Sequence, residues 1–122
     1  MNDSVEKTEH YIVIKASSQR LDISEARHQL HLVQTEQKKE AISYVLLDLD
    51  RVTDFDSAAF EVISEITEIC NQNLGLLLCF NGKENWMDTF AENGIVLVPT
   101  KHEAIEYVFM DQLEKQFLSD EE

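Results

Sequence analysis

Four short and almost unbroken apolar runs, at residues 11–14, 44–49, 75–80 and 95–98, alternate with longer segments whose apolar residues return every three or four positions. A strand with one wet face alternates polar and apolar side chains. Runs such as Leu76-Leu77-Leu78-Cys79-Phe80 do not, so they are expected to be covered on both faces, as parallel strands are. Parallel neighbours cannot be joined by a hairpin and need a crossover, which is right-handed and is supplied here by the intervening helix. The expected fold class is therefore α/β, built on a central, mostly parallel sheet.

The helical segments carry their own punctuation. Ile23, Ala26, Leu30 and Val33 form one face after Asp22, which with Glu25 resembles a capping box; Lys38 and Lys39 suit the far end. Ala59, Val62, Ile63, Ile66, Ile69 and Cys70 form a second stripe, stopped by Asn73 and Gly75. Asn81 and Glu84 open a short helix whose Trp86, Met87 and Phe90 read as core, and Asn93-Gly94 closes it. Pro99 ends the fourth strand. Thr100 and Glu103 then cap a last helix carrying Ala104, Ile105, Val108, Leu113 and Phe117. Residues 1–9 are polar and read as a flexible N-terminus, 10–118 as one domain, and 119–122 as an acidic tail.

Twenty-four acidic residues against ten basic ones leave a formal charge of −14, with no compact basic cluster to offset it. Nucleic acid and anionic membrane surfaces would repel that field, whereas a basic protein partner would be drawn to it. The apolar runs fall far short of the ~20 residues a spanning helix needs, and the start of the chain has no basic-then-apolar signal pattern, so direct membrane insertion is not expected and a cytoplasmic location is. Cys70 and Cys79 suit free, inert thiols, and no Cys/His spacing suggests zinc. His28 and His31 lie three apart near Glu25, a spacing better explained by a polar helix face than by a metal. No cofactor motif is present.

The chemistry-bearing residues concentrate after the second run. Asp48, Asp50, Asp54 and Asp56 fall within nine positions, but the glycine and terminal glutamate of a calcium loop are missing. The run 45–50 resembles the strand that ends in the phosphoacceptor of receiver domains, which makes Asp48 or Asp50 a candidate acceptor. The acidic pair that seats Mg²⁺ in those domains is replaced by Lys15-Ala16-Ser17-Ser18. Ser57 stands where the loop enters a helix. It can cap that helix, or sit exposed on its first turn as a phosphorylation site.

Val45-Leu46-Leu47-Asp48-Leu49, the spacer with Val52 and Thr53, and Phe55-Asp56-Ser57-Ala58-Ala59 resemble the STAS family, shared by sulphate-transporter tails and anti-sigma-factor antagonists. The likeness extends upstream over residues 11–23 and downstream through Gly75-Leu76-Leu77-Leu78 to Asn93-Gly94-Ile95. It implies a four- to five-stranded sheet with about four helices packed mainly on one side, a stand-alone antagonist-like protein, and no catalysis. In the antagonists the serine of the Asp-Ser motif is phosphorylated by a kinase that is also the anti-sigma factor, and the unphosphorylated form binds that partner. Only Asp56 and Ser57 map onto the motif; Ala59 stands where many members have glycine, followed by Phe60. STAS domains are also reported to bind nucleotides, yet no Gly-rich phosphate loop is present here. On this reading Ser57 is the regulated residue, and Asp54, Asp56, Ser57, Ala58, Phe60, Glu61, Asn81 and Lys83 form the docking surface. The partner is a serine kinase or anti-sigma factor, or alternatively an anion- or lipid-transport complex met without phosphorylation.

Overall fold

The computed structural model describes residues 4–120. Strands β1 (Ser4–Lys7), β2 (Ile12–Lys15) and β3 (Arg20–Leu21) precede helix α1 (Ile23–Gln37). Strands β4 (Tyr44–Asp48) and β5 (Asp54–Phe55) lead into α2 (Ala59–Gln72), and β6 (Leu76–Phe80) into a 3-10 turn (Glu84–Trp86) and α3 (Met87–Glu92). Strand β7 (Val96–Val98) and the long helix α4 (Lys101–Asp120) follow.

The main sheet has the order β1-β2-β4-β6-β7, and every pair in it is parallel except β1 with β2. From β2 onward each new parallel strand is added on the same side of the last. Right-handed crossovers in one direction place every connecting helix on one face, so α1, α2 and α3 lie together. Helix α4 follows the last strand and covers the opposite face. Side chains sort between the two by the period of two. Ile12, Ile14, Val45, Leu47, Leu77, Cys79 and Leu97 pack with the three helices, whereas Val13, Tyr44, Leu46, Leu78 and Phe80 pack with Ala104 and Val108 of α4. Both faces are dry, which accounts for the unbroken apolar runs.

Helix punctuation is only partly that expected. Asp22 accepts the Glu25 amide at 2.9 Å and Thr100 accepts the Glu103 amide at 3.2 Å, as the capping pattern predicts. Asn81 caps nothing; its backbone is left-handed (φ 63°) and its side chain turns to Asp48. At the end of α2 the left-handed position falls to Leu74 (φ 63°) and not to Gly75. Gly75 is needed for another reason: a Cβ there would lie 1.6 Å from the Ser43 carbonyl oxygen.

Two further expectations are corrected. The N-terminus expected to be flexible contributes β1, whose four residues are all exposed. It is held by its ladder to β2, by Lys7 bonded to Glu36 at 2.8 Å, and by Glu6 bonded to Lys101 at 3.1 Å. A charged edge strand carries no apolar signal to read. On α1, Ile23 is 38% exposed, while Gln29 is fully buried between Ala26 and Val33, and neither of its side-chain polar atoms has a hydrogen-bond partner among the described residues. Residues 1–3, and the last two of the expected acidic tail, lie outside the described residues; α4 itself runs on to Asp120.

Candidate functional site

Strands β2, β4 and β6 end side by side at Lys15, Asp48 and Phe80, and the loops leaving them meet beyond that edge. The loop after β4 is tightly held. Leu49 donates its amide to the Phe80 carbonyl at 2.9 Å, Val52 is buried, and Thr53 donates to Gln19 at 2.7 Å. A two-residue parallel ladder then joins Arg20 to Asp54 and Leu21 to Phe55, and the Asp56 amide donates to the Leu21 carbonyl at 2.9 Å.

Phe55 anchors this loop. Its ring centre is 5.1 Å from that of Trp86 and 5.4 Å from those of Phe60 and Phe90, all in tilted or edge-on contact. Edge-to-face packing of this kind adds to the burial of the rings themselves. Phe60 is 3% exposed and Trp86 8%, so both belong to the core. Phe60 is thereby removed from the expected docking surface: it lies three residues before Ile63, on the buried stripe of α2.

With Phe55 turned inward, Asp54 and Asp56 flank it on the accessible side. Arg20 hydrogen-bonds Asp54 through its guanidinium and brings a second nitrogen to 3.9 Å from the Asp56 carboxylate. Asp56 also holds the turn that leads into α2. Its carboxylate accepts the Ala58 amide at 3.0 Å, and its carbonyl accepts the Ala59 amide at 2.9 Å. Ser57 is left with an exposed side chain, and its hydroxyl makes no hydrogen bond to another described residue. Its carbonyl alone joins the turn, accepting from Phe60 at 3.1 Å.

The neighbouring segment is tied to the same loop. Lys83 donates to the Thr53 carbonyl at 3.0 Å and lies 5.4 Å from the Trp86 ring centre, within reach of a cation–π contact. Asn81 donates to Asp48 at 3.1 Å, and the same carboxylate oxygen accepts the Asp50 amide at 3.0 Å. Asp54, Asp56, Ser57, Ala58, Glu61, Asn81 and Lys83 thus all keep some solvent contact around one rim. Lys15 and Arg20 belong to this rim as well and were missed. Nothing in their local sequence marks them, because Arg20 meets Asp54 across 34 residues.

Asp48 and Asp50 are poorly placed as phosphoacceptors. Asp48 is engaged by Asn81 and by the Asp50 amide, and Lys15, 4.0 Å from Asp50, occupies the end of β2 where a metal-binding acid would be needed. A sheet that grows in one direction also lacks the switch point at which doubly wound folds bind ligands. Among the described residues no three His, Cys, Asp or Glu side chains converge to hold a metal ion. Cys70 and Cys79 are free and buried; burial pushes the Cys70 thiol up to about 12 and the Cys79 thiol upward too, so neither is nucleophilic near neutrality.

The fold is the SpoIIAA-like one. The sequence matches no protein-family model and no curated protein; the likeness lies in the structure. The anti-sigma factor antagonist SpoIIAA, 18% identical over 87% of this chain, superposes with a TM-score of 0.67 unphosphorylated and 0.66 in the phosphorylated form from Bacillus. The match covers 96% and 98% of those two chains. A serine-to-glutamate variant of RsbS from Moorella thermoacetica is 14% identical, with a TM-score of 0.68 over 88% of this chain and 95% of its own. The murine Solute Carrier 26 family member A9 anion transporter matches at 10% identity and 0.66 over 86% of this chain, which corresponds to 18% of the transporter. Among the described residues no helix is long and apolar enough to cross a membrane.

Proposed function

We propose that the protein is a non-enzymatic interaction switch of the anti-sigma-factor-antagonist kind, thrown by phosphorylation of Ser57. One observation carries this reading: Asp56, and not Ser57, bonds the turn that leads into α2, so the Ser57 hydroxyl is exposed and bonded to no other described residue. Phosphate would add about −1.5 to −2 charges. It would do so beside Asp54 and Asp56, whose own charge Arg20 already partly offsets. The loop is tied by backbone hydrogen bonds to Gln19 and Leu21, so the change would be electrostatic and steric at a preformed surface. That SpoIIAA has been solved in both phosphorylated and unphosphorylated forms supports the choice of a phosphorylation switch on this fold. The partner is a serine kinase that docks on the rim formed by loop 54–57, the first turn of α2 and loop 81–83.

Intact-mass and peptide mass spectrometry on protein from its native source should find one phosphate on Ser57, absent from Ser57→Ala. Wild type used as bait should retain an ATP-binding protein that Ser57→Asp releases. Ser57 without phosphate in every growth state would overturn the proposal. Equal capture of a membrane complex by both baits would do the same, in favour of a transport regulator.

A further inference from the structure

Helix α4 has two apolar sides. The inner one packs Ala104 and Val108 on the sheet and is fastened at mid-helix: Tyr44 donates its hydroxyl to Asp111 at 2.6 Å. Lys115 reaches Asp111 at 2.7 Å and the Leu74 carbonyl at 2.6 Å. The outer side repeats Tyr107, Met110, Leu113 and Phe117 at spacings of three and four, which is one stripe of a helix. Met110, Leu113 and Phe117 are 67%, 62% and 65% exposed, and with Val98 they border an open groove of about 810 Å³. Side chains of this size cost solubility when exposed as a contiguous patch, and such patches mark interaction sites.

Charge decides what fits. Glu103, Glu106 and Glu114 stand among these apolar residues on the groove, and among the described residues no lysine or arginine lines it. The two lysines of α4, Lys101 and Lys115, are engaged elsewhere, with Glu6 and with Asp111. A second copy laid on this side would set glutamates against glutamates on two chains that each carry −14. An anionic lipid surface meets the same repulsion. We infer that the outer side of α4 receives an amphipathic helix of another protein whose apolar stripe is flanked by lysine or arginine. Binding would follow the helix-in-groove mode, with Tyr107, Met110, Leu113 and Phe117 as the anchors and the three glutamates as the rim. This surface lies on the sheet face opposite α1–α3 and does not include Ser57, so it stands apart from the phosphoswitch.

The test uses a fluorescently labelled Leu/Lys peptide patterned as an amphipathic helix, its scrambled counterpart of equal charge, and a Leu/Glu version, read by anisotropy. The patterned Leu/Lys peptide should bind wild type and Ser57→Asp alike. Its affinity should fall about tenfold or more in Leu113→Ser/Phe117→Ser and in Glu106→Lys/Glu114→Lys, all exposed positions whose variants keep the wild-type circular dichroism. Equal binding of the scrambled peptide, or unchanged affinity in both double variants, overturns the inference. So does a wild-type dimer in sedimentation that Leu113→Ser/Phe117→Ser dissolves, since the occupant would then be a second copy.

Discussion

The two faces of the sheet are covered unequally. Three helices close over Val45, Leu47, Leu77 and Cys79, and the aromatic group of Phe55, Phe60, Trp86 and Phe90 fills the space beneath the site. A single helix covers Val13, Leu46, Leu78 and Phe80, and it keeps a second apolar side in solvent. The strands are equally apolar towards both, so the inequality comes from topology: one-directional crossovers send all three connecting helices the same way. A crowded face can hold a rigid site, whereas a sparsely covered one leaves surface free for something else.

The comparison breaks most visibly in the core. Phe90→Ala, under the crowded face, should destabilise the protein by roughly 3–5 kcal/mol in denaturant unfolding, because a fully buried ring leaves a cavity that three packed helices cannot close. Val108→Ala, under α4, should cost only about 1.5–2 kcal/mol by the same measurement. Similar losses at the two positions would mean that α4 is packed as tightly as its counterparts.

Tyr44→Phe sharpens the contrast by removing the side-chain bond that fastens the middle of α4 to the sheet, at a cost of roughly 1–2 kcal/mol. Its signature is pH. Burial, then the hydrogen-bonded Asp111 carboxylate, holds the Tyr44 phenol above its ordinary value of 10.0. Its contribution is whole below that pH, where the phenol is neutral in both states. It declines as the pH rises further, because there only the unfolded chain's phenol ionises. Wild type should therefore lose more stability than Tyr44→Phe between about pH 8 and pH 11. The smallest effect should be a gain: Leu74→Gly removes a left-handed leucine at the end of α2 and should add roughly 0.5–1 kcal/mol.

Both faces of the sheet were legible because their residues are apolar and periodic, and loop 48–57 stood out by its aspartates. What stayed hidden has a common physical cause. Strand β1 is held by backbone pairing and by the ion pairs of Glu6 and Lys7, and shows nothing to a pattern of apolar side chains. Gln29 is a polar residue in a buried slot, which an apolar stripe through Ala26, Leu30 and Val33 passes over, and Ile23 at the start of that stripe is exposed. Arg20 and Lys15 reach the rim only through the pairing of distant strands. Phe60 differs from these, since its spacing to Ile63 places it on the buried stripe of α2 from sequence alone.

The one-directional strand order also bears on how the chain is made. A sheet that adds β4 to β2, β6 to β4 and β7 to β6 can be laid down as each unit leaves the ribosome, without any strand having to insert between two that have already paired. The face beneath α1–α3 is roofed as it forms. The other waits for α4, which is synthesised after all seven strands, and until then Leu46, Leu78 and Phe80 have no cover. A nascent chain stalled before Lys101 would present that bare face to chaperones.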